Sequence, residues 1–183
     1  VGFEGLSGLR VLITAGEKAL RDEKGIFAVP HRQYWNLYGP TEASVTAACF
    51  PIGPDGGNGA DIPIGKPVAN MEILILDRFL KNLQPIGVPG EMCLAGAGIA
   101  RGYLNRPELT AEKFIPHPFR SGERLYRTGD TGKWLGDGNI HFLGRNDDQV
   151  KIRGYRIELG EIKYQLLKQE SVKEAVVVAK VFK

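Results

Sequence analysis

From Ile62 onward the chain alternates short strand-like runs with turn residues, and this pattern confines the stretch to a small β-rich unit, a partial barrel. Met71–Leu76 alternates in polarity, the glycines from Gly87 to Gly90 interrupt it, and Glu91–Ala95 resumes it. Trp134–Phe142 predicts a hairpin, because Asp137-Gly138 between extended apolar segments suits a tight turn. Asn105 as a cap, Pro107 in the first turn and Glu108 at the positive end predict a short helix to about Phe114.

The upstream part is patterned differently. Leu9–Thr14 is rich in branched residues and predicts a buried strand delivering its C-terminal end to Ala15, Gly16 and Glu17. Gln33–Leu37 is a second strand, and Ser44–Phe50 reads as extended again. In open α/β sheets, ligands collect where the carboxyl ends of buried strands meet loops. Pro54–Gly59 has the composition of an exposed turn. Charge and amide residues between Arg145 and Gln149 interrupt the apolar pattern and suggest a boundary. Beyond it, Val150–Ile157 predicts strand, turn and strand, Glu161–Gln169 a helix with Ile162 and Leu166 on one face, and Ala175–Ala179 a buried strand.

Composition excludes more than it identifies. A chain of 183 residues, 43% hydrophobic and 25% charged, can bury one core as a globular protein. A net charge of +3, spread along the sequence, supplies neither a basic stripe for nucleic acid nor a cluster for anionic membranes, so neither is expected as a partner. Cys49 and Cys93 have no Cys or His at ligand spacing, and His31, His117 and His141 form no ligand set. No run reaches the roughly 20 apolar residues of a membrane span, and no signal core opens the chain, so a cytoplasmic location is expected. Gly96-Ala97-Gly98-Ile99-Ala100-Arg101-Gly102 places its third glycine one residue too late for a dinucleotide loop.

Three strings carry the chemistry. Asn36-Leu37-Tyr38-Gly39-Pro40-Thr41-Glu42 puts an aromatic ring, a hydroxyl and a carboxylate on a turn whose backbone permits close approach. Tyr126-Arg127-Thr128-Gly129-Asp130 offers a carboxylate able to accept two hydroxyl hydrogen bonds. The run from Gly144 includes Gln149-Val150-Lys151-Ile152-Arg153-Gly154 and Ile157-Glu158-Leu159-Gly160-Glu161, preceded by Arg145. In this order they resemble the second half of the amino-acid adenylation domain of nonribosomal peptide synthetases, within the AMP-binding, adenylate-forming enzymes. The third run favours that branch over the acyl-CoA ligases.

The resemblance implies an α/β fold with mixed β: residues 1–146 as the C-terminal half of the large adenylation subdomain, sheet plus distorted β-barrel, and residues 147–183 as the beginning of a small α+β C-terminal subdomain. It implies ATP (bound as AMP) and Mg²⁺ as cofactors. Gly16 and Glu17 would lie beside adenine, Asn36 would contact its amino group, and Tyr38 and Gly39 would pack against the ring. Thr41 would touch the α-phosphate, Glu42 would hold Mg²⁺, Asp130 would anchor the ribose, and Arg145 would lie near ribose and phosphates. Asp147 would be the hinge between two reaction steps. Ile13, Ala15, Leu37, Val45 and Thr46 would line the amino-acid pocket, and their apolar character implies an uncharged or weakly polar side chain. A peptidyl carrier protein bearing phosphopantetheine and neighbouring synthetase domains are the implied partners.

The family's glycine-rich phosphate loop and its C-terminal lysine are absent from the sequence, so the fragment is expected to be inactive alone. The alternatives are an acyl- or aryl-acid CoA ligase of the same superfamily, or a non-catalytic fragment that binds nucleotide or meets a carrier protein. Exposed strand edges are expected to make the piece sticky, or to pair it with a missing half.

Overall fold

A computed structural model describes residues 8–17, 19, 31–53, 61–146, 149–152 and 155–180. The hinge position Asp147 and the turn cluster Pro54–Gly59 lie outside the described residues.

The first sheet contains β1 (Val11–Ala15), β2 (Gln33–Tyr38), β3 (Ala48–Ile52) and β4 (Lys66–Pro67), in that spatial order. β1 runs parallel to β2, whereas β3 is antiparallel to both of its neighbours. One face of β2 carries Tyr34, Asn36 and Tyr38, all buried. The register pairs Ile13 with Trp35 and Ala15 with Leu37, so these four share the opposite face. β1 is the edge strand among the described residues, and Ile13 is 55% exposed; it is not the buried strand expected from its composition. An apolar run buries itself only when both its faces are covered, and β1 has one neighbour here.

Ser44–Phe50 is not a continuous strand. Thr41–Ala43 forms a 3-10 turn, Ser44 and Val45 take left-handed backbone at φ 55° and 71°, and pairing starts only at Ala48. A β-branched residue at positive φ is a rare, strained conformation. Close closure of the loop imposes it here: the Ala47 amide donates to Tyr38 O at 2.7 Å, and the Val45 amide to Pro40 O at 3.2 Å. Gly39 is required at the crossing, because a Cβ there would sit 2.6 Å from Val45 O.

The second sheet is a curled half-barrel of β5 (Met71–Leu76), β6 (Gly90–Gly96), β7 (Phe114–Pro116), β8 (Arg124–Trp134) and β9 (Ile140–Arg145). Its order is β5-β6-β8-β7, with β9 pairing with the other part of the long β8. The hairpin around Asp137-Gly138 forms as expected, with Gly138 at φ 78° and Asp137 Oδ1 accepting from the Asn139 amide at 2.9 Å. Both faces of β5 and β6 are covered. Ile73, Ile75, Met92 and Leu94 pack with Tyr38 and Ala48 of the first sheet and with Ala47 and Ile64 beside it, and Leu74, Leu76, Cys93 and Leu125 form a core behind them. Each such side chain contributes roughly 1.5–3 kcal/mol relative to exposure, so the shared core fixes the two sheets as one body.

The helix α1 (Pro107–Lys113) starts one residue later than its sequence cap implies. Arg106 is the N-cap, no side chain caps the turn, and Asn105 takes left-handed backbone at φ 55°. Asn serves here as a turn residue, a conformation it tolerates better than most. Beyond β9 come the antiparallel pair β10 (Gln149–Ile152) and β11 (Tyr155–Glu158), then α2 (Leu159–Leu167), which has no buried residue. Ala175–Ala179 forms no strand, and Val176 and Val178 are exposed rather than buried. High strand propensity alone does not make a strand without a partner to accept its hydrogen bonds.

Candidate functional site

A cavity of about 660 Å³ opens at the carboxyl ends of β1 and β2, against β8 and β9. Gly16 and Glu17 follow β1 into its wall, and Asn36, Leu37, Tyr38 and Gly39 come from the end of β2. Asp130 and Arg145 close the opposite side, so segments distant in sequence meet around one space.

The polar centre is Asp130, 5% exposed. The Tyr38 hydroxyl donates to its Oδ2 at 2.5 Å, and Arg145 Nη1 donates to its Oδ1 at 2.7 Å. Arg145 Nη2 also donates to Thr128 O at 3.1 Å. A charge-assisted pair in a desolvated site is strong because no water screens it, and removing one partner strands the other. Burial, then the neighbouring Asp130 charge, raises the Tyr38 pKa well above the ordinary tyrosine value, so its hydroxyl remains a donor through the neutral range.

A β-bulge creates this pairing. From the hairpin, Trp134 opposes Ile140 and Gly132 opposes Phe142, but the register shifts between Thr131 and Gly132, after which Asp130 opposes Arg145. Without the shift Asp130 would oppose Gly144, and the guanidinium would project from the other face of the ribbon. Thr128 supports the distorted backbone: its hydroxyl donates to Met92 O at 2.6 Å and accepts from the Asp130 amide at 2.9 Å.

Asn36 is 3% exposed, and its Nδ2 donates to Pro63 O at 2.7 Å, which fixes the amide with its oxygen as the acceptor. Tyr38 and Phe142 form a tilted aromatic pair at 6.2 Å and 40°, and Ile62 and Ile64 extend the apolar wall. The cavity can therefore take a flat apolar ring beside one amide acceptor, with hydroxyl donors directed at a carboxylate.

The remaining expected residues lie elsewhere. Thr41 is exposed on the 3-10 turn, and Glu42, buried beside it, accepts a hydrogen bond at Oε1 from the Tyr103 hydroxyl at 2.7 Å; neither lines the cavity. Of the expected amino-acid pocket only Leu37 lines this cavity. Ile13 and Ala15 lie on the exposed face of β1, Val45 is 64% exposed and Thr46 is half-buried. No group of three or more His, Cys, Asp or Glu converges among the described residues. A single hard carboxylate oxygen suits Mg²⁺, which keeps several waters and uses one or two carboxylates beside phosphate oxygens.

Sequence reasoning missed Phe142, Gln149, Val150, Ala179 and Lys180 in the wall. Phe142 was visible as a hairpin aromatic two residues before Gly144. Lys180 carried no signal, because only the path of the chain brings it here.

The AMP-binding enzyme family profile matches residues 3–104. The chain is 55% identical over 172 residues to bacitracin synthase 1 of Bacillus licheniformis, covering 94% of this chain and 3% of that protein. It is 59% identical over 173 residues to tyrocidine synthase 3 of Brevibacillus parabrevis, covering 92% of this chain and again 3% of the relative. Among solved structures, the holo form of PA1221, a nonribosomal peptide synthetase protein containing adenylation and PCP domains, superposes with a TM-score of 0.82 at 34% identity, over 92% of this chain and 30% of that one. No helix among the described residues is long and apolar enough to cross a membrane. With its profile match, its relatives and its curled sheet all in agreement, the chain belongs to the AMP-binding enzyme family and is part of a nonribosomal peptide synthetase adenylation domain.

Proposed function

We propose that this chain forms the nucleotide side of a site that activates an amino acid with ATP and then hands it to the phosphopantetheine thiol of a carrier protein. In the first step a carboxylate oxygen of the amino acid attacks the α-phosphorus, the bond to the β-phosphate oxygen breaks, and pyrophosphate leaves with that electron pair. In the second, the carrier thiolate displaces AMP from the acyl carbon.

One observation carries the reading: Tyr38, Asp130 and Arg145 form a hydrogen-bonded unit in a cavity whose wall also holds Asn36. Asn36 Oδ1 accepts from the adenine amino group while the Tyr38 ring and Ile64 cover the purine. A carboxylate oxygen can accept more than one hydrogen bond, so the ribose hydroxyls donate to Asp130 beside Tyr38 and Arg145. Thr41 is the donor toward the α-phosphate, and Glu42 is the residue that would hold Mg²⁺. The bound ion would neutralise charge on the phosphate oxygens. Catalysis of this type is mostly positioning and charge stabilisation, which the rigid Asp130 unit is built to give.

The substrate and carrier belong to the whole domain, of which this chain is a part, and the test is made there. Isothermal titration of the domain with ATP should give a saturable heat that Asp130→Ala abolishes, and pyrophosphate exchange across the twenty amino acids should respond to one or a few with uncharged side chains. Saturable ATP binding unchanged by Asp130→Ala would overturn the assignment; exchange only with fatty or aryl acids would move the site to the CoA-ligase branch.

A further inference from the structure

The turn that carries Glu42 is held at three points by the segment that follows β6. The Tyr103 hydroxyl donates to Glu42 Oε1 at 2.7 Å, the Ala100 amide donates to Glu42 O at 2.8 Å, and Ser44 Oγ donates to Gly98 O at 2.8 Å. Residues 98–103 thus grip the turn through both its backbone and its one carboxylate.

Tyr103 is itself well anchored. Its amide donates to Thr110 Oγ1 of α1 at 2.9 Å, and Thr110 Oγ1 donates to Arg106 O at 2.8 Å. Its ring meets the buried Phe114 edge-on at 5.6 Å, and Arg124 lies over the other ring at 5.6 Å while donating to Arg101 O at 2.9 Å. Gly102, at φ 147°, packs so closely that a Cβ would come 2.4 Å from Thr110 Cγ2. The phenol is therefore aimed by a helix, a core aromatic and a clamped loop, and a neutral donor on one oxygen of a buried carboxylate orients it.

We propose that Tyr103 is a positioning residue for the cation end of the site: its hydroxyl fixes the Glu42 carboxylate so that Mg²⁺ tightens ATP binding. This rests on the reading of Glu42 given above. The hydroxyl contributes nothing to adenine or ribose, which lie at the Asp130 side, so its effect is confined to ligands carrying the β- and γ-phosphates. Tyr103→Phe removes the hydroxyl and leaves the ring on Phe114.

The test is calorimetric titration of the full adenylation domain with ATP and with AMP, each with and without Mg²⁺, in the parent, Tyr103→Phe and Glu42→Gln. Loss of a hydrogen bond to a charged group corresponds to roughly tenfold, so Tyr103→Phe should lose about that much of the Mg²⁺-dependent tightening of ATP. AMP affinity should stay at the parent value. Full Mg²⁺ tightening in Tyr103→Phe, with its loss in Glu42→Gln, overturns the proposal and leaves the nucleotide reading standing. Equal weakening of ATP and AMP in Tyr103→Phe assigns the phenol to the fold and also overturns it. Mg²⁺ tightening retained in Glu42→Gln removes Glu42 from the metal site, and the proposal with it.

Discussion

On the proposed reading, the single amide of Asn36 sets base preference. With Nδ2 bound to Pro63 O, the side chain presents an acceptor, which matches the 6-amino group of adenine and opposes the 6-carbonyl of hypoxanthine. Asn36→Ala should therefore narrow the preference for ATP over inosine triphosphate by about tenfold, since a site built to pair one polar group rejects its mismatch by at least this much. Parallel titrations with the two nucleotides check it, and an unchanged ratio would remove Asn36 from base recognition. Tyr38, Asp130 and Arg145 were singled out through the resemblance that their three strings carry, whereas the hydrogen bonds joining them were visible only in the fold. The contact of Tyr103 with Glu42 was not legible either, because 61 residues separate the two and only the folded path of the chain joins them.

At the scale of elements, strands whose faces are covered were readable and those left exposed were not. β5, β6 and the hairpin of β8 with β9 follow their polarity pattern because both faces meet protein. β1 and Ala175–Ala179 have the same branched composition, yet burial depends on what lies beside them, which local sequence does not contain. The bulge at Thr131 and Gly132 was equally silent, although it brings Asp130 opposite Arg145. Cys93, in the middle of β6, supplies a probe of the half-barrel. Burial raises its thiol from an ordinary value near 9 to about 12. The folded protein thus keeps a proton that the unfolded chain sheds, so stability is undiminished below about pH 9 and declines as pH rises towards 12. Cys93 should resist a thiol reagent in the native state and react on denaturation, with the denaturation midpoint falling between pH 9 and 11. Rapid modification of Cys93 in the native state would show that the barrel opens locally.

For the molecule as a whole, the exposed face and open edge of β1 predict association. Ile13 and Val11 are exposed on a strand that pairs, among the described residues, with β2 alone, and open strand edges pair with whatever strand is available. Ile13→Lys should lower concentration-dependent sedimentation of this chain while leaving far-ultraviolet circular dichroism unchanged. Association that is indifferent to this charge would place the contact elsewhere, at Val176 and Val178 or along α2. The cavity has a different consequence. Its wall takes Gly16 from near one end of the sequence and Lys180 from near the other, with β8 and β9 between them. A guest bound there stitches together parts of the polypeptide far apart along the chain, so occupancy and cohesion of the molecule rise together.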